Sequence, residues 1–97
     1  MIAGSLITTT ELQEIPLKRN SDKKDIQIVF CNTAIVDNYI YLSWHKDDEV
    51  VSLYFNYPVL AYDTYPRDSS PFKITLGVSD KLYARSTTPG VQVILLK

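Results

Sequence analysis

The chain has 97 residues, a hydrophobic content of 45%, and a formal net charge of −1 from 10 basic and 11 acidic residues. That length holds one domain with one core, and the apolar share excludes a disordered chain. The charge balance excludes the basic excess that nucleic-acid binding demands, and it leaves association between copies unopposed.

Cys31 is the single cysteine, so neither an intrachain disulfide nor a cysteine zinc cluster can form. No stretch reaches the roughly 20 apolar residues of a membrane helix. The opening Met1-Ile2-Ala3-Gly4-Ser5 lacks the basic and long apolar regions of a signal peptide, so the expectation is a soluble protein without membrane contact.

Alternation of period two runs through the chain, and no window carries a helical stripe. Residues 1–10 combine Ile2, Leu6 and Ile7 with three threonines, which is strongly β-prone. They read either as an arm that adds to a neighbouring sheet or as the first strand of the domain's own sheet. Leu12, Ile15 and Leu17 supply a further short strand. The polar stretch 17–24 that follows reads as an exposed loop containing Lys18, Arg19, Lys23 and Lys24.

The clearest strand is 25–32, with Ile26, Ile28 and Phe30 on one face and Gln27, Val29 and Cys31 on the other. Both faces are fairly apolar, which predicts a central strand covered on two sides. Residues 38–45 alternate next, with Ile40, Leu42 and Trp44 opposite Tyr39, Tyr41 and Ser43. After the charged segment 45–49 the alternation resumes, with Val51, Leu53 and Phe55 opposite Ser52 and Tyr54. Two such runs across a short polar break predict a hairpin. Residues 59–63 form an edge strand after Pro58, and 65–71 form a proline-bounded turn cluster. Phe72, Ile74 and Leu76 alternate again. Residues 81–86 and 91–96 flank Thr87-Thr88-Pro89-Gly90, a turn that predicts a second hairpin over 81–96.

About eight short strands, spaced by turns, predict an all-β domain: a single small antiparallel β-sandwich or flattened barrel over 11–97, with essentially no helix.

The residues that would carry chemistry are few. A nucleophile needs a base, and His45 is the single histidine, placed where a charged turn begins. Cys31 lies inside a strand, where a thiol behaves as a small hydrophobe. His45, Asp47, Asp48 and Glu49 crowd into one turn but lack the spacing and mid-loop glycine of a calcium loop, so they read as a solvated hairpin tip. Three glycines leave no phosphate-cradling loop. The basic cluster at 18–24 is diluted by Asp22 and Asp25 and lacks interleaved aromatics for base stacking. The expectation is a non-enzymatic protein with no cofactor and no metal.

Seven tyrosines are many for this length. Tyr39, Tyr41 and Tyr54 fall opposite the apolar face of the first predicted hairpin and so should project outward together. They would form a protein interface, a set of cross-strand aromatic pairs, or a platform for sugar rings. With Ile2, Leu6 and Ile7 of the N-terminal segment they make the candidate contact surface.

Two stretches carry a family resemblance. One is Ile26-Gln27-Ile28-Val29-Phe30-Cys31-Asn32-Thr33 followed by Tyr39-Ile40-Tyr41-Leu42-Ser43-Trp44. The other is the run from Asp80 to Thr87, closing with Val91-Gln92-Val93-Ile94-Leu95-Leu96. Over residues 12–97 the chain resembles small β-sandwich structural proteins of tailed-bacteriophage virions. It departs from them where a Gly-Asp pair commonly opens the late hairpin, since Ser79 precedes Asp80 and the glycine stands at Gly77. The resemblance implies a capsid decoration or other head or tail accessory subunit, located in the virion. It further implies that the partners are copies of itself in a homo-oligomer and other virion proteins such as the major capsid protein. The alternative from the tyrosines alone is a carbohydrate-adhering module of a phage fibre or cell-surface protein.

Overall fold

Among the described residues the alternating runs fold into nine strands: β1 (Ile2–Ile7), β2 (Gln13–Glu14), β3 (Lys24–Asn32), β4 (Asn38–His45), β5 (Val50–Val59), β6 (Thr64–Tyr65), β7 (Phe72–Leu76), β8 (Lys81–Ser86) and β9 (Val91–Leu96). They come from a computed structural model that describes residues 2–17, 24–46, 48–65, 72–77 and 79–96. Two antiparallel sheets pack face to face as a small β-sandwich. One has the order β1-β9-β3, with β6 and β7 both pairing to the far side of β3; the other has the order β2-β8-β4-β5. Among the described residues there is no helix.

The core lies between the sheets, where period-two burial from both inner faces meets. Ile26, Ile28 and Phe30 of β3 and Val91, Val93 and Leu95 of β9 face Ile40 and Leu42 of β4 and Leu82 and Ala84 of β8, all essentially inaccessible. β3 is central in its sheet, but its second face is not covered as expected. Gln27, Val29 and Cys31 are half-exposed on the outside of the sandwich.

The predicted hairpin over 81–96 does not form. β8 pairs with β4 and β2 in one sheet, whereas β9 pairs with β1 and β3 in the other, so the turn at 87–90 carries the chain across the sandwich. Gly90 sits there at φ 121°, open to glycine alone. The first predicted hairpin does form, between β4 and β5. However, β5 runs on through Pro58 to Val59 instead of ending before the proline. As the edge strand of its sheet it can hold a residue without an N–H. Residues 60–63, expected within an edge strand, instead form a turn closed by the Asp63 N–H to the Leu60 carbonyl at 3.0 Å. The turn cluster expected at 65–71 lies, from residue 66 on, outside the described residues.

β1 is the first strand of the domain's own sheet, paired with β9 from Ile2↔Leu96 to Ile7↔Gln92. Its outer side is closed by a bridge from Gly4 to Leu17. A Cβ on Gly4 would collide with the Pro16 carbonyl, so this approach requires glycine.

Four chain links cross between the sheets at one end of the sandwich: β1 to β2, β3 to β4, β5 to β6, and β8 to β9. A strand leaving its sheet strips its backbone of ladder partners, and buried polar side chains replace them here. Thr8, Asn32, Asn38 and Ser86, the buried polar residues among those described, all stand at this end. The Asn32 side-chain amide donates to the Val36 and Val59 carbonyls, both at 3.0 Å, while its oxygen accepts the Ala34 N–H at 3.0 Å. Thr8 and Ser86 share a hydroxyl bond of 2.6 Å, and Ser86 also donates to the Thr88 carbonyl at 2.7 Å. Asn38 Oδ1 accepts from the Thr88 N–H at 2.8 Å and the Thr87 hydroxyl at 3.1 Å, while its Nδ2 finds no acceptor among the described residues.

Candidate contact face

The outer face of the β2-β8-β4-β5 sheet collects the polar-aromatic half of each alternating run. β4 contributes Tyr39, Tyr41, Ser43 and His45, and β8 contributes Tyr83 and Arg85. Tyr41 and Arg85 are directly opposed across β4 and β8, which lays the guanidinium over the phenol ring at 3.9 Å from its centroid. Such an exposed cation–π contact contributes about 0.5–1 kcal/mol. Phe55 meets the same ring edge-on at 5.2 Å, and the Tyr41 hydroxyl donates to Asn56 Oδ1 at 3.0 Å.

Phe55 reaches this face because β5 is irregular. It has ten residues against eight in β4, and the register slips once on each side of Leu42. Each slip is a β-bulge that reverses the in–out alternation downstream of it. Asn56 accommodates one of them at φ 53°, in the left-handed region that asparagine tolerates.

The slip between Ser43 and Leu42 turns Phe55 out and sends Tyr54 inward, so Tyr54 does not join Tyr39 and Tyr41. Its ring packs edge-on against Phe30 at 4.9 Å, then Tyr57 at 4.9 Å, and Tyr57 packs on Tyr65 at 4.9 Å. This ladder joins β5 to β3 and β6 along the side of the sandwich away from β1. Burial raises the Tyr54 hydroxyl above its ordinary pKa, with the nearby Tyr65 adding to the effect. Tyr57 is raised further, first by burial and then by its hydrogen bond to Tyr65.

Tyr39 and Tyr41 therefore share the outer face with Phe55 in place of Tyr54. Phe55 is 77% exposed and Tyr39 42% exposed, while Leu12, 49% exposed, adds an aliphatic rim from the β1–β2 link. A shallow depression of about 180 Å³ lies between Leu12, Tyr41, Ser52, Phe55 and Arg85. Sequence alternation finds Tyr39 and Tyr41 but misses Phe55 and Arg85; Asn56 hints at the second bulge, and no residue type marks the first, which turns Phe55 outward.

The N-terminal candidates divide between faces. Leu6 packs against the core, and Ile7 projects outward from the opposite sheet with 64% exposure. The Ile2 backbone pairs in β1, and its side chain lies outside the described residues. On that second outer face Ile7 is accompanied by the half-exposed Val29, Ile94 and Leu96.

The other candidates for chemistry lie apart. Cys31 is on the outer face of the β1-β9-β3 sheet, accepting the Thr64 hydroxyl at 3.7 Å. His45 is on the outer face of the other sheet, bonded through Nε2 to the Ser43 hydroxyl at 3.1 Å and tilted against Tyr83 at 4.2 Å. The full thickness of the sandwich separates the two. At the hairpin tip, Lys46 pairs with Glu49 at 3.9 Å and lies 4.3 Å over the Trp44 ring. Asp47 and the basic residues Lys18, Arg19 and Lys23 lie outside the described residues, as does the side chain of Lys24. Among the described residues no three His, Cys, Asp or Glu side chains converge as metal ligands.

What the outer face offers is contact. Tyrosine, phenylalanine and arginine are enriched in protein interfaces, because the aromatic rings bury large areas with few rotatable bonds while the tyrosine hydroxyl and the guanidinium make directed polar contacts. Stacking a sugar needs an open aromatic face, yet one side of Tyr41 is occupied by Arg85 and Tyr54 is turned away. Comparison of the chain with protein-family models, with curated proteins and with solved structures gives no match.

Proposed function

We propose that the protein is a non-enzymatic structural subunit acting through protein–protein contact, and that its place is the virion of a tailed phage, as a capsid decoration or other head-associated part. The observation that carries the contact reading is the Tyr41–Arg85–Phe55 cluster, held ready on the outside of the sandwich by its own ring contacts. A patch organised before binding loses little side-chain freedom when a partner covers it. The strand-and-turn resemblance supports the virion setting, in which the partners are further copies of the chain and the major capsid protein. The carbohydrate reading has less support, because Arg85 takes one face of the best-placed ring.

Mass spectrometry of purified particles tests the setting: the protein is expected at a stoichiometric level, and its absence from intact virions overturns the assignment. Phe55→Asp and Arg85→Glu test the face. Both side chains are at the surface, so the variants are expected to fold and yet to fail to join particles.

A further inference from the structure

Among the described residues the two sheets have four edges; three of them are guarded, and the fourth is shared by the two-residue β6 and by β7. β1 is capped by the Gly4–Leu17 bridge, β2 has only two residues, and β5 carries two bulges and Pro58. Bulges and prolines are the usual means of keeping an edge from pairing with another chain. β7 has none of them. Among the described residues it pairs with β3 alone, in unbroken register from Lys24↔Leu76 to Ile28↔Phe72. Alongside it lies an open hollow of about 510 Å³ lined by Asp25, Ile26, Gln27, Lys73, Ile74 and Thr75.

We infer that β7 pairs antiparallel with β7 of a second copy of this chain, joining the two β1-β9-β3 sheets into one continuous sheet across a two-fold axis. The inference rests on the assembly reading above and names the element that makes the contact. Directly opposed residues share a face, so only registers that keep inner with inner and outer with outer are allowed. Centring the axis on Lys73 opposes two lysines, and centring it on Thr75 brings Lys73 against Gly77 at the strand's end. Centring it on Ile74 uses the whole strand: Lys73 faces Thr75 of the second copy, and Ile74 faces its own counterpart. In this register the outer row reads Gln27, Lys73, then Thr75 and Asp25 of the second copy. Asp25 is already held beside Thr75 by the Thr75 hydroxyl at 2.7 Å, so each lysine reaches toward an acid across the axis. The inner row runs Ile26, Ile74, Ile74, Ile26 and continues the core.

The test uses single cysteines at exposed positions in a Cys31→Ser background. Opposed residues in an antiparallel pair bring their Cβ atoms to about 5 Å, near disulfide reach, whereas residues offset by two stand about 7–8 Å apart. An oxidised mixture of Lys73→Cys and Thr75→Cys chains is expected to give a cross-linked dimer in clear excess over either variant alone. Equal cross-linking in all three samples, or an excess in Lys73→Cys alone, overturns the register. In parallel, light scattering on the unmodified chain reports association. An oligomer that does not cross-link overturns the β7 contact while leaving the assembly reading intact, and a monomer at every concentration overturns the β7 contact outright. Lys73→Glu is expected to weaken dimerisation roughly threefold, and adding Asp25→Lys to restore it.

Discussion

The two ends of the sandwich are held by different means. At one end four links cross between sheets, and the crossings are laced by the buried side chains of Thr8, Asn32, Asn38 and Ser86. At the other, β4 turns back into its own sheet through an exposed tip, closed by the Lys46 N–H to the Glu49 carbonyl at 2.9 Å. The β7–β8 link also crosses there, but it relies on Asp80, which is half-exposed and accepts the Gly77 N–H at 2.8 Å and the Trp44 Nε1–H at 2.9 Å. The difference teaches where this fold concentrates its polar stability. A strand that stays in its sheet inherits its hydrogen bonds from the ladder, whereas one that leaves must be given new partners out of reach of water.

Removing the hub of the crossover end gives the largest expected effect. Asn32→Ala strands the buried Val59 carbonyl and removes the partner of the part-buried Val36 carbonyl and Ala34 N–H, and should lower the unfolding free energy in urea by about 3 kcal/mol. A loss below about 1 kcal/mol would show that the lacing is ornamental.

The Thr8–Ser86 bond sharpens the point, since its two hydroxyls serve each other. Thr8→Val or Ser86→Ala alone should cost about 1–2 kcal/mol, and the double variant less than their sum. Strict additivity in that cycle would mean the two links are not coupled.

Tyr62 provides a change of the opposite sign. It occupies φ 59° in the turn at 60–63, a place suited to glycine or asparagine, and its side chain is 68% exposed. Tyr62→Asn should therefore raise stability by about 1 kcal/mol, read as a higher melting temperature. A loss instead would reveal that the ring is held by something worth more than the strain.

The smallest effect belongs to the hairpin tip. Glu49→Ala removes an exposed ion pair and should change stability by less than about 0.5 kcal/mol. An effect as large as that of Asn32→Ala would erase the contrast between the ends.

Much of the fold was legible because burial follows period two. The runs at 38–45, 81–86 and 91–96 coincide with β4, β8 and β9, and Ile26, Ile28 and Phe30 do face the core. Which strands pair was not legible. Leu82 and Ala84 face the same core as Val91, Val93 and Leu95 whether the turn between them is a hairpin or a crossing, so alternation cannot separate the two. Nor could it place Tyr54, because the first bulge in β5 reverses the side chains up to the second, which restores the alternation by Tyr57, and bulges leave little trace in a sequence. The contact face was half found for this reason: Tyr39 and Tyr41 were in view, while Phe55 and Arg85 joined them only through the register.

The place of β9 has a bearing on how the protein is made. Val91–Leu96 lies between β1 and β3, just as β8 lies between β2 and β4, so these two late strands join the beginning of the chain to the middle. During synthesis the first strands emerge early but have no neighbour to hold them. They must wait, unpaired, until these late residues clear the ribosome. Folding is therefore expected to complete in one late step rather than strand by strand, with the exposed early strands at risk of pairing with other nascent chains in the interval.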